Sequence, residues 1–186
     1  MTSAELAAYL IPAMLSWVTP GEHLKHEGEV RPQYERYANA IAVVTLNAKD
    51  EELPWAGPHR HELTALLLAS IASYEAHFRE DVATCALGGD KDKAGIPRAW
   101  GLWQTHRAKA QVCASLEDGA KIALGMVVES FKVCRASGVR DRLGLYTDGP
   151  SIFVGGKCRP NWWRSQSRID RARSWHAAHE LVDETM

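Results

Sequence analysis

Glu75 stands in "SYEAHF" (residues 73–78), at the end of an otherwise apolar stretch. Leu63, Leu67, Ile71, Tyr74 and Phe78 follow one another at steps of four and three, the spacing of one helix face. Glu75 is four after Ile71 and three before Phe78, so it lies on or beside that stripe. Burial on one side takes water from the carboxylate, disfavours its ionised form and raises its pKa. That is what a general acid at neutral pH needs. The plain alternative is a glutamate at the rim of the stripe that reaches solvent or caps a loop. A short loop later, "AWGLWQTH" (residues 99–106) joins a glycine, aromatic residues and a glutamine.

Metal chemistry finds no support. Cys85, Cys113, Cys134 and Cys158 contain no C-x2-C pair. "HAAHE" (176–180) has its glutamate in the wrong place for a zinc-protease motif. His59 and His61 flank a turn without companions at ligand spacing. Neither a metal nor a cofactor is expected.

Several helices must position Glu75. Leu6, Tyr9, Leu10, Met14 and Trp17 recur at helical spacing, with Ser3 as the expected N-cap. Residues 19–32 read as a loop, 33–50 as a second helix and 53–59 as a breaker-rich turn. A strong third helix covers 60–79, and 85–99 is a loop. "WGLWQTH" reads as a short strand or extended turn. Ser115 caps a long helix over 115–135 with an acidic first turn, 146–161 is a loop, and 164–183 form the last helix. The fold class expected is mainly α with a small extended segment near Glu75. A single domain of 186 residues is expected, residues 1–59 being a helical extension packed on a core of 60–183.

The formal net charge of −1 gives no basic excess for phosphate neutralisation, so nucleic acid is not an expected partner. Arg159, Arg164, Arg168, Arg171 and Arg173 cluster late and read as a solvated helix face. The longest apolar run, "TALLLASIASY", is too short to span a membrane. The N-terminus carries Glu5 and no basic residue before its apolar part, so it does not read as a secretory signal.

"LTALLLASIASYEAHF" followed by "AWGLWQTH" resembles the lysozyme-like lytic transglycosylases and goose-type lysozymes. Their signature is an apolar helix ending in Glu-Ser-x-Phe, then a loop, then Gly-Leu-Met-Gln. Glu75 takes the place of the catalytic glutamate and Phe78 matches, while Ala76 replaces the usual serine. Gly101, Leu102 and Gln104 match the second motif, with Trp103 at the methionine. The family's Tyr-Asn-Ala-Gly is met by "YTDG", where Tyr146 and Gly149 match and Thr147 and Asp148 depart. The resemblance covers roughly residues 60–175.

The resemblance implies a lysozyme-like helical domain that cuts peptidoglycan between N-acetylmuramic acid and N-acetylglucosamine. Glu75 would protonate the glycosidic oxygen, then take the proton of the muramic acid 6-hydroxyl, giving a 1,6-anhydro end. Tyr146 would hydrogen-bond Glu75, and Gln104 an acetamido group. Trp100, Trp103, Trp162 and Trp163 would line a glycan groove beside Gly101. A goose-type hydrolase would instead use Asp90 or Asp92 to handle water, although such loop aspartates commonly serve turns. The second aspartate position of that family holds His106 here. A non-catalytic glycan-binding or virion module that kept the fold is the remaining alternative.

Four cysteines allow three disulfide pairings. Cys113 and Cys134 bracket a helix that separates them by roughly 30 Å at about 1.5 Å per residue, beyond disulfide reach. Of the two pairings left, Cys85–Cys113 with Cys134–Cys158 ties each loop beside the expected cleft to a helix end. Disulfides without a secretory signal suggest action at the bacterial cell wall or periplasm after holin release or virion delivery.

Overall fold

The computed structural model describes residues 1–17, 27–155, 157–159 and 162–183. The fold is mainly α with small β segments, as expected. Among the described residues, α1 (Ser3–Ser16), α2 (Glu27–Asn47), α3 (Arg60–Ala76), α6 (Leu116–Val133) and α8 (Trp162–Asp183) are the long helices. Short helices α4 (Glu80–Ala83), α5 (Lys109–Val112) and α7 (Gly144–Asp148) join them. Two antiparallel hairpins complete the order: β1 (Gly89–Lys91) with β2 (Pro97–Ala99), and β3 (Phe153–Val154) with β4 (Lys157–Cys158).

Thr2, not Ser3, caps α1. Its hydroxyl accepts from the Glu5 amide, and Glu5 returns a bond to the Thr2 amide, a full capping box. The second helix starts at Glu27, ahead of the expected residue 33, and runs through Pro32. Pro32 is the sixth residue of that helix, past its first turn, and leaves one intrahelical backbone bond unmade. The remainder of the expected loop, 19–26, lies outside the described residues. Ser115 caps α6 as expected, accepting from the Asp118 amide at 3.0 Å.

α3 departs from the single-stripe expectation. Every residue from Thr64 to Ser73 is buried, while Leu63 and Tyr74 are only half-buried. A helix apolar or small all round belongs at the centre of a fold, and α3 packs against α1, α2, α6 and α8. One apolar cluster runs from Leu6 on α1 to Ala172 on α8. The loop expected over 85–99 contains the first hairpin. The loop expected over 146–161 begins inside α7 and holds the second hairpin.

Cys85 joins Cys113 and Cys134 joins Cys158, with Cα separations of 6.0 and 5.2 Å. This is the favoured pairing. The first bridge closes the segment holding the β1–β2 hairpin and Gln104; the second closes the segment holding α7.

Candidate functional site

Glu75 is the penultimate residue of α3, where a helix buried on all sides from Thr64 to Ser73 reaches the surface. The chain then turns through two left-handed residues, His77 (φ 49°) and Phe78 (φ 55°). Each costs on the order of 1–2 kcal/mol for a side chain with a Cβ. Surrounding contacts hold the corner. Gln33 Nε2 on α2 donates to the Phe78 carbonyl at 2.5 Å, and the buried Phe78 ring packs 5.2 Å from Tyr34. The phenylalanine of the "EAHF" motif is thus an anchor for the end of the glutamate's helix.

The Glu75 side chain is 26% exposed and Arg168 of α8 is 8% exposed; Arg168 Nη2 donates to Glu75 Oε1 at 2.6 Å. The same guanidinium donates through Nη1 to the Arg164 carbonyl and lies 4.7 Å over the Tyr74 ring. Arg171, one turn on, stacks at 4.1 Å on Tyr74 and donates to Ser73 Oγ. Burial pushes the Arg171 pKa down from its ordinary value. Arg168 is buried and Arg171 half-buried against α3, which corrects the solvated-face reading for these two, while Arg159, Arg164 and Arg173 are exposed as that reading expects. Positions 168 and 171 do share one helix face, so the signal was present in the spacing. What the spacing lacked was the identity of the facing helix. Glu75 is therefore a carboxylate matched to a buried cation, where desolvation was the expected influence. Its second oxygen, Oε2, has no hydrogen-bond partner among the described residues.

Removing the cation tests this arrangement. Arg168→Met keeps the aliphatic stem but leaves the carboxylate facing a low-dielectric wall. A stability loss of about 3 kcal/mol is expected, the lower end for a broken buried pair, because Glu75 keeps some solvent. Urea unfolding of the parent and the variant measures it; a difference below about 1 kcal/mol would make the pair incidental.

Tyr146 sits on α7 and not in a loop. Its hydroxyl donates to the Trp103 carbonyl at 2.6 Å, so it does not make the expected bond to Glu75. It still senses that carboxylate. Burial first, and the Glu75 charge second, push the phenol well above its ordinary range, partly offset by Arg168. Trp103 is only 1% exposed and donates its indole N–H to the Leu68 carbonyl of α3 at 3.0 Å. It cannot line a groove. It pins the "GLWQ" turn to the central helix, filling the place that an aliphatic side chain would fill.

That turn is closed by paired backbone bonds between Trp100 and Thr105 and by the Gln104 amide donating to the Gly101 carbonyl. Gly101 has φ +70°, and a Cβ there would stand 2.8 Å from Val112, so glycine is required. Gln104 (φ 46°) donates its side-chain amide to the Gly101 carbonyl at 2.9 Å. Its Oε1 lies where a Cβ on Gly89 would be, at 1.8 Å, so the glutamine rests on the first hairpin. Trp100 is half-buried, with Lys109 Nζ 4.4 Å from its ring centroid. The Trp162 side chain lies outside the described residues, and Trp163 is exposed.

The two loop aspartates separate in role. Asp92 Oδ1 accepts from the Ala94 and Ile96 amides and so holds the hairpin turn. Asp90 is half-exposed and pairs with Arg98 at 3.0 Å and lies 3.6 Å from His106. The position read as a lost aspartate is therefore beside the surviving one. Among the described residues, no group of three or more His, Cys, Asp or Glu side chains could hold a metal ion. No helix there is long and apolar enough to cross a membrane.

No protein-family model, curated protein or solved structure matches the chain.

Proposed function

We propose that the chain is a lysozyme-like peptidoglycan-cleaving enzyme with Glu75 as its general acid and base. One observation carries the reading. Glu75 leaves the central helix half-exposed, with Oε1 held by Arg168 and Oε2 open, beside the Tyr146–Trp103 link that joins α7 to the "GLWQ" turn. Tyr146 feels the Glu75 charge and bonds the Trp103 carbonyl, and the Trp103 indole reaches Leu68 of α3, so the three motifs are linked through this helix. In this reading Oε2 delivers a proton to the bond between N-acetylmuramic acid and N-acetylglucosamine. The sugar's acetamido group stabilises the developing cation, and Glu75 then takes the 6-hydroxyl proton. Gln104 and Trp100 supply one wall of the glycan site. The two disulfides suit a protein that acts outside a reducing cytoplasm, at the cell wall after holin release or virion delivery.

Transglycosylation is favoured over hydrolysis because the candidate bases are engaged. Asp92 holds a turn, and Asp90 is shared between Arg98 and His106. An inverting hydrolase needs a carboxylate about 6.5–9.5 Å from the acid to activate water. The expected digest of purified walls is dominated by 1,6-anhydro ends, each lighter than a reducing end by one water on mass spectrometry. Mostly reducing ends would return the role of base to Asp90.

A second reading has two observations in its favour. Arg168 already neutralises Glu75, and the Tyr146 hydroxyl is committed to a carbonyl. Both are what a structural ion pair in a non-catalytic glycan-binding module would show. A protein that binds walls but releases no muropeptide would decide for it.

A further inference from the structure

A groove of about 910 Å³ lies between α2 and α6, lined by residues other than those of the Glu75 site. Its floor includes Leu124 and Val128, both buried. Val43 and Val133 on its walls are 37% and 40% exposed, two of the few large apolar side chains that the described surface leaves in water. Gly125 lies in the middle of α6 and in the groove, and a Cβ added there would meet nothing within 4 Å. Glycine inside a helix is costly relative to alanine. No packing within this chain calls for one at this position.

The charges around Gly125 are arranged symmetrically. Asp118, Lys121, Gly125, Glu129 and Lys132 follow at steps of three, four, four and three, so they form one exposed stripe. Reading outward from Gly125, Lys121 and Glu129 lie four residues away on either side. Asp118 and Lys132 lie seven away. In two antiparallel helices crossing at Gly125, each residue faces its mirror position. Lys121 then meets Glu129, and Asp118 meets Lys132, always with opposite sign. A twofold axis makes each pair twice. The two glycines meet at the axis, where only a missing side chain lets backbones approach closely. Lys121, Glu129 and Lys132 make no ion pair within the chain among the described residues. Asp118 bonds Ser115 Oγ through one oxygen.

We propose that this groove is a homodimer interface: a second copy of the chain docks its α6 antiparallel to the first, crossing at Gly125. The apolar floor supplies the affinity, and the charge stripe sets direction and register. A basic amphipathic helix from another protein fits less well, because the stripe carries equal numbers of both signs. This inference does not depend on the reading of Glu75.

Sedimentation equilibrium of the oxidised full chain over a concentration series tests it. The parent is expected to dimerise. Lys121→Glu and Glu129→Lys each set like charges face to face twice, so each alone weakens the dimer at least about tenfold. Mixing the two variants pairs every changed charge with its opposite in a heterodimer, and dimer is expected to return. The double variant Lys121→Glu/Glu129→Lys is expected to dimerise alone. All these side chains are exposed, so the fold is spared. A parent that stays monomeric throughout overturns the proposal, as does a mixture that stays as monomeric as its components.

Discussion

Replacing Glu75 by glutamine is expected to lower the rate of wall lysis by about 10²–10⁴-fold, the usual contribution of a positioned acid and base, and to leave the fold intact. The two halves of that expectation rest on different contacts. Glutamine keeps the size of the side chain, and its carbonyl oxygen still accepts from Arg168 where Oε1 does now. The buried guanidinium therefore keeps a partner, and the packing of α3 on α8 is preserved. The amide cannot release a proton to a glycosidic oxygen or accept one from a 6-hydroxyl, so both steps assigned to Glu75 fail together. Turbidity loss of purified walls gives the rate, and circular dichroism with urea unfolding gives the fold. Lysis within a few-fold of the parent would remove Glu75 as the acid. Arg168→Met is the companion measurement, because it damages stability through the same pair while leaving the carboxylate in place.

Opening either disulfide is expected to be the largest single loss of stability available outside the core. Cys85 and Cys113 are 28 residues apart, and Cys134 and Cys158 are 24 apart. Closing loops of that length removes enough freedom from the unfolded chain to stabilise the fold by about 3–4 kcal/mol each in the chain-entropy account. Replacing one pair by alanine should lower the melting temperature by roughly 10 °C, and replacing both should do so about additively, since the bridges close separate segments. The segments matter beyond stability. The first carries Gln104 and the hairpin it rests on. The second carries Tyr146, whose hydroxyl holds the Trp103 carbonyl. On the proposed function, wall lysis should fall with reduction more steeply than helix content does. A melting temperature unchanged by dithiothreitol would show that the bridges add nothing.

Local rules read from the chain gave the helical class, the Ser115 cap and the extent of α6. Periodicity and capping act within a few residues, so they survive without tertiary knowledge. The cysteine pairing was partly within reach: a helix between Cys113 and Cys134 sets a distance no disulfide can bridge, which removes one pairing of three, and the choice between the other two rested on the expected place of the cleft. Glu75 was legible as a carboxylate at the edge of an apolar helix. Its partner was not. Arg168 lies 93 residues away on another helix, and spacing on α8 marks a face without saying whether that face meets water or α3. Trp103 shows the same limit. A tryptophan beside glycine and glutamine suits a sugar-binding wall as well as a core, and only the approach of the Leu68 carbonyl decided for the core. Tyr146 was singled out by type, but its hydroxyl went to a backbone acceptor that no sequence pattern could place. The chain by itself determined which segments are helices and which side chains are capable of chemistry. Tertiary packing decided which of those side chains meet, because burial and hydrogen bonding between distant segments depend on how the helices cross.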